Sequence, residues 1–271
     1  MENTPLTDTD ALKKHRARVR PDALFLNDLA LDEVKDRLSL VNRTFTSPAI
    51  VSPFPAIWHV SFPNATCIPA QEVLPLEPGI HDLIVHAMAL HWENDPVGQL
   101  IQCRRALKED GLLLVIALGG QTLNELRSVL GEAEIAETGG LSPRVAPMAE
   151  IRDLGALLQR AGLTLPVADL VGLRVEYRDL WHLMRDLRDM GETNALNARL
   201  KTPTNRRVFE KANQLYRDHF STPEGRLFAT FELVCLTGWS PSDQQPQPLR
   251  PGSAKVRLAD ALRVSETKLK G

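Results

Sequence analysis

Residues His81–Gly120 read HDLIVHAMALHWENDPVGQLIQCRRALKEDGLLLVIALGG, and the fold class turns on this stretch. Asp82-Leu83-Ile84-Val85-His86 is a short, mostly apolar run that suits a buried strand. Asn94-Asp95-Pro96 breaks the chain; Asp95 is a good helix cap, and Pro96 fits the first helical position, where an N–H is not needed. From Val97 to Leu107 the residues Leu100, Ile101 and Leu107 recur at helical spacing, which predicts an amphipathic helix. Glu109-Asp110-Gly111 marks a turn, and Leu112–Leu118 is apolar almost throughout, as a strand covered on both faces must be. Strand, helix and strand in this order form a βαβ unit with a right-handed crossover.

The chain has 271 residues, 43% of them hydrophobic, enough to bury a substantial core. Its 34 acidic and 32 basic residues leave a formal net charge of -2, so no global field draws it to nucleic acid or anionic membrane. Cys67, Cys103 and Cys235 are widely spaced, with no C-x-x-C, and suggest neither a zinc site nor a disulfide framework. No apolar run is long enough to predict a transmembrane helix. The polar start MENTPLTDTD lacks the features of a targeting peptide, so the cytoplasm is the expected location.

Working outward, residues 1–9 read as a loose tail and Asp10–Arg20 as a basic, helix-compatible segment. The basic cluster is either a solvated face or a lip over an anionic ligand or partner. Pro21–Phe45 reads as a helix, Ala56–Val60 as a strand, and Ala65–Ala70 as another. Thr122 and Glu125 fit a capping box that opens a helix through Leu130. Glu134–Pro147 is irregular, and Met148–Ala161 is helical. Leu163–Leu170 and Leu173–Tyr177 read as two closing strands joined near Gly172. Helices follow over Tyr177–Met190 and from Thr202, then a strand, extra or an extension, over Leu227–Gly238. A proline-rich link and a short helical pattern at Leu258–Val264 close the chain. The boundaries expected are 1–20 for tail and basic helix, 21–240 for the main domain with a helical insertion at about 179–221, and 241–271 for the rest.

Several of these pieces are similar to a known family. HDLIV, ALHWENDP, RRALKEDGLLL and GGQTLNELR resemble the fourth and fifth strands of class I S-adenosylmethionine-dependent methyltransferases, the group that includes the malonyl-carrier methyltransferase of biotin synthesis. Four longer motifs add to this: Gly119–Arg127, Gly139–Pro147, Ile151–Leu163 and Leu183–Arg199. With Thr237-Gly238-Trp239 they resemble the bacterial relatives of the mitochondrial complex I assembly factor numbered five, over about residues 10–262. The resemblance implies an α/β fold with a Rossmann-like sheet, an antiparallel final strand and helical additions. It also implies S-adenosylmethionine as cofactor, and a protein substrate or a respiratory-complex assembly partner.

The family places a glycine-rich loop after the first strand, where the backbone turns tightly and approaches the donor. The matching place here reads as Arg37–Pro48, and no glycine occurs between Leu38 and Glu77. A bulky turn at Val41–Pro48 is therefore expected, with Arg43 or Phe45 filling the donor groove. The acidic residue that holds the ribose is also missing, leaving His59, Ser61 and Asn64 near its place. The cofactor-side positions that remain are Asn42, Ser61, Gln71, Glu72 and Ala89. Acceptor-side candidates are His91, Trp92 and Gln121; His91 orients an acceptor or takes a proton, or else packs with Trp92 under the next helix. Asp186, Asp189, Glu192 and Asn194 either receive an arginine-bearing peptide or, for the two aspartates, pair with Arg185 and Arg188. No spacing suggests a metal site. Three functions compete: a methyltransferase of unknown acceptor, a non-catalytic assembly or interaction protein on the same fold, and an arginine hydroxylase-like activity.

Overall fold

In the computed structural model, which describes residues 5–246, the expected βαβ unit forms the middle of the sheet. β3 (His81–Ala87) is buried along its whole length, and β4 (Leu107–Leu118) is buried from Gly111 onward. The two strands run parallel, joined by α4 (Pro96–Ala106). Asp95 caps that helix, accepting from Gly98 N at 2.8 Å, with Pro96 in its first turn. Glu109-Asp110-Gly111 lies inside β4 rather than before it. The register steps from His81 opposite Leu107 to Leu83 opposite Leu112, and Asp110 takes φ 56° at this irregularity.

Among the described residues six strands make the sheet, in the order β2-β1-β3-β4-β6-β5. β1 (Pro48–Ser52) pairs in parallel with both β2 (Thr66–Pro69) and β3. β5 (Thr164–Tyr177) is one continuous strand where two were expected, because Gly172 stays in register opposite Glu232. The antiparallel strand is β6 (Leu227–Trp239), which inserts between β4 and β5. Side chains of β4 alternate between layers: Leu112, Leu114, Ile116 and Leu118 enter one core, and Leu113, Val115 and Ala117 the other. Helices cover both faces. α2 (Phe25–Leu40), α5 (Asn124–Thr138), α7 (Leu180–Asp189) and α8 (Arg206–His219) lie over the first core; α4 and α6 (Ile151–Arg160) lie over the second. The last helix among the described residues starts at an Asn205 cap rather than at Thr202.

Three local expectations fail for identifiable reasons. Residues 56–60 belong to helix α3 (Pro55–Ser61), with Pro55 at its first turn, and not to a strand. Thr122 and Glu125 form no capping box: Thr122 Oγ1 donates to Gly119 O at 2.8 Å, while the Glu125 carboxylate accepts from Thr230 on β6. Residues 5–9 are held rather than loose, since Thr7 is buried and bridges to Leu196, and α1 (Thr9–Arg16) begins at an Asp8 cap. By contacts the main unit ends at Pro241; the pattern at Leu258–Val264 lies outside the described residues. Among the described residues no helix is long and apolar enough to cross a membrane.

Candidate functional site

Open α/β sheets bind ligands beyond the carboxyl ends of their parallel strands. Here those ends are Ser52, Pro69, Ala87 and Leu118. This moves the donor loop. The turn out of β1 is Ser52-Pro53-Phe54-Pro55, so the Val41–Pro48 segment lies at the opposite, amino-terminal edge. Asn42 is there, exposed, and so is not placed to meet a donor. Arg43 and Phe45 do not fill the donor groove either. Arg43 Nη1 pairs with the Asp110 carboxylate at 2.9 Å, and Phe45 packs on the core. The Thr46 and Ser47 amides are spent on Asp82, at 2.6 and 2.9 Å. Ser61 closes α3, which carries the chain back toward the start of β2, and is likewise on the wrong side.

The real β1 turn still has no glycine, and its backbone offers no cradle. Pro53 and Pro55 have no N–H, and Phe54 N donates to Ser52 Oγ at 3.2 Å. Phe54 and Ile57 pack against the core around Trp58, which is fully buried. β2 ends on Pro69 with no carboxylate, and Ala70 N donates back to Ser52 O at 3.0 Å. Within the turn itself, a ligand with a carboxylate and a ribose diol finds neither a free amide nor an acidic acceptor. The residues do not fit S-adenosylmethionine in the family's usual manner.

The other half of the edge is built differently. After β3, Ala89 is buried, and its carbonyl accepts from Trp92 N at 3.0 Å, closing a 3-10 turn over Leu90–Trp92. This turn directs His91 and Trp92 onto one carboxylate. Trp92 Nε1 donates to Glu192 Oε2 at 2.6 Å, and His91 Nε2 lies 3.2 Å from the same oxygen. The His91 side chain is 3% exposed and that of Glu192 11%. Glu192 follows α7 through Gly191, whose φ of +81° makes the turn and whose missing Cβ leaves room for Val19 and Arg16. Burial alone would raise the Glu192 pKa, but His91, the Arg16 charge and the Trp92 N–H together hold it below the usual carboxylate range. Glu192 Oε2 is therefore an ionised acceptor. The His91 tautomer that donates from Nε2 leaves Nδ1 shielded and without a partner.

Glu192 and Trp92 also form one end of an apolar cavity of about 190 Å³ between α5, the segment at 143–148, α7 and α8. Leu126, Met148, Met184, Phe209 and Phe231 are among its walls. Arg144, at its rim, is neutralised by Glu134 at 2.6 Å. Gln121 does not belong to this wall. It is exposed, its amide donates to Glu232 Oε2 at 2.8 Å, and its side chain accepts from Asn124. The same Glu232 oxygen would lie 1.9 Å from a Cβ on Gly120, which has φ +55°, so that glycine serves the turn. Asp186 accepts from Tyr177 Oη at 2.9 Å and Asp189 gives its carbonyl to Arg20 N, which is neither of the roles expected for the pair.

On the other side of Trp92 is a polar cavity whose wall includes Gln71, Glu72, Glu93 and Arg16. The Gln71 and Glu72 carbonyls accept from Gln99 Nε2 at 2.8 and 3.1 Å. Of the residues expected to act together, the structure joins His91 and Trp92, sets Gln71 and Glu72 beside them, and disperses Asn42, Ser61 and Gln121. The Glu192 link was not foreseen: Glu192 lies 100 positions from Trp92. Among the described residues no group of three His, Cys, Asp or Glu side chains is placed to hold a metal ion.

Comparison with known proteins agrees with this fold. A family model described as a methyltransferase domain matches residues 56–115, a match that begins beyond the β1 turn. The protein named arginine-hydroxylase NDUFAF5, mitochondrial, from Danio rerio is 31% identical over 256 residues, covering 94% of this chain and 73% of its own. The Rattus norvegicus protein of that name is 36% identical over 213 residues; the match covers 79% of this chain and 62% of the rat protein. A malonyl-[acyl-carrier protein] O-methyltransferase from Laribacter hongkongensis is 33% identical over 181 residues, covering 67% of this chain and 58% of its own. Among solved structures, the Bacillus halodurans methyltransferase candidate BH2331 superposes with a TM-score of 0.50 at 12% identity, covering 78% of this chain and 99% of its own, a likeness of fold.

Proposed function

The chain belongs to the NDUFAF5 family of methyltransferase-like proteins, and on that premise we propose that it recognises an arginine-bearing segment of a partner protein rather than transferring a methyl group. The observation that carries this reading is the β1 turn, where two residues have no N–H and the third spends its own on Ser52. The other half of the edge, in contrast, keeps His91 and Trp92 together on Glu192. Glu192 presents an ionised carboxylate at the end of an apolar cavity, which suits a guanidinium on an aliphatic stem. The relatives' name, arginine-hydroxylase, supports arginine as the residue recognised. The family resemblance makes a respiratory-complex subunit the partner of choice, and an assembly role the consequence of binding.

The test is a fluorescence titration of the full chain with an arginine-bearing peptide from such a subunit, with its lysine-substituted twin, and with the Glu192→Gln variant. Binding should be saturable, and weakened about ten-fold by either change, the loss of one charge-assisted pair. Equal affinity for both peptides would remove arginine recognition from the reading. A second reading keeps the methyltransferase activity, with the donor rerouted through the polar cavity; Gln71 and Glu72, which the family resemblance assigns to the donor, line it beside Trp92.

A further inference from the structure

The basic segment at the start of the chain has a specific place in the structure. α1 is clamped at both ends: Asp8 N donates to Ala195 O at 2.7 Å, Arg199 pairs with Asp8 at 2.8 Å, and His15 Nδ1 lies 3.2 Å from Thr193 O. The helix thereby lays Lys13 and Arg16 along the polar cavity, which measures about 490 Å³. Arg16 Nε and Nη2 are shielded from solvent and have no hydrogen-bond partner. A guanidinium remains charged in proteins, and leaving its donors buried and unmade is costly. A folded chain tolerates such an arrangement most readily where a ligand completes it.

The acids nearby do not complete it. Asp8 is committed to Arg199, and Asp95 to the Gly98 amide. Glu192 accepts from Trp92 and His91, and it reaches Arg16 by charge and not by a hydrogen bond. Burial raises the Glu93 pKa, and Glu93 reaches Arg16 by charge, with no hydrogen bond to Nε or Nη2. Gln99 and Gln102 spend their side-chain amides on the Gln71 and Glu72 carbonyls. Of the side chains in the wall, Arg16 is the one whose shielded donors are unmet; Lys13 adds a second cation, while the Glu72 and Glu93 side chains leave the wall mixed in charge.

We propose that this cavity binds a small molecule through a carboxylate or phosphate group, held by Arg16 with Lys13 at the entrance. The site goes beyond arginine recognition, which uses the apolar cavity on the far side of Trp92. Its volume falls in the range of small-molecule sites. Because the anion is met by charge, its affinity declines as ionic strength rises, though less than that of a surface site.

Calorimetry on the full chain at low salt, with inorganic phosphate and with malonate as probes, tests the site. Saturable heat with one probe or both is expected, and which one responds identifies the group. Arg16→Gln should weaken binding about ten-fold or more, as expected for loss of a charge-assisted bond, and Lys13→Gln should weaken it less. Lys13 is exposed, so its variant reports on the site even if Arg16→Gln fails to fold. Absence of saturable heat with both probes would overturn the proposal. So would unchanged affinity in a folded Arg16→Gln protein or, where that variant does not fold, in Lys13→Gln.

Discussion

The two halves of the sheet's carboxyl edge have different histories written in their residues. Beyond β3 and β4, polar side chains converge: His91 and Trp92 share one oxygen of Glu192, and Glu192 and Trp92 line an apolar cavity. Beyond β1 and β2, prolines and aromatics turn inward, and the loop amides are absent or spent. Both halves belong to one continuous parallel sheet, and β1 is as firmly buried as its neighbours. The fold therefore does not depend on the donor cradle. Its stability rests on the βαβ unit and on β6, and ligand chemistry on the β1 side is able to change without unfolding the sheet.

The largest expected effect breaks the convergent half. Glu192→Ala strands the Trp92 and His91 donors and leaves Arg16 without its compensating charge. It should cost about 3–5 kcal/mol, as for other broken buried pairs, measured by urea unfolding. A loss below about 1 kcal/mol would mean that the cluster is no more than a surface arrangement.

Next comes pH. Burial lowers the His86 pKa to about 4, from an ordinary 6.5, against the opposing hydrogen bond with Gln99. Between those values the unfolded chain holds a proton that the folded chain does not. Stability is therefore full above about 6.5 and declines as pH falls toward 4, by roughly 3 kcal/mol in all. Glu192, whose pKa is lowered, adds to this loss at more acid pH; Glu93, whose pKa is raised, acts in the opposite sense. Unfolding midpoints across this window should slope in the native chain and flatten in His86→Asn. An unchanged slope would assign the effect to other groups.

Gly120→Ala is a smaller probe, expected to cost about 1–3 kcal/mol, since it places a Cβ at φ +55° and on the Glu232 carboxylate. The effect should appear in thermal unfolding, with the apolar cavity's peptide affinity unaltered. Pro53→Gly is the smallest, about 1 kcal/mol or less through the freer unfolded chain. One glycine should not restore donor binding, because Pro55 still lacks an N–H and Phe54 still packs inward.

The comparison also shows what the sequence was able to reveal. The β3–α4–β4 unit was legible because its signals are local: an Asp-Pro helix start, a helical apolar spacing and an uninterrupted apolar strand. The donor half was misplaced by one element. With no glycine to mark the turn, Pro48–Ser52 carried little signal, and the apolar run Ala56–Val60 suited a strand until Pro55 was recognised as a helix start. β6 was similarly hard to place, since its partners β4 and β5 come from well before it in the chain. Trp92 and His91 stood out by resemblance and Glu192 as one of a polar group around the long helix, whereas their meeting is a contact across 100 positions, which no periodicity encodes.

Whether the β1 turn takes a methyl donor is settled most directly by calorimetry of the full chain with S-adenosylmethionine and with S-adenosylhomocysteine. A turn whose amides are missing or committed should give no saturable heat with either compound up to millimolar concentration. Saturable binding of both, lost when Gln71 and Glu72 are replaced, would contradict this and return the chain to the donor-dependent methyltransferases.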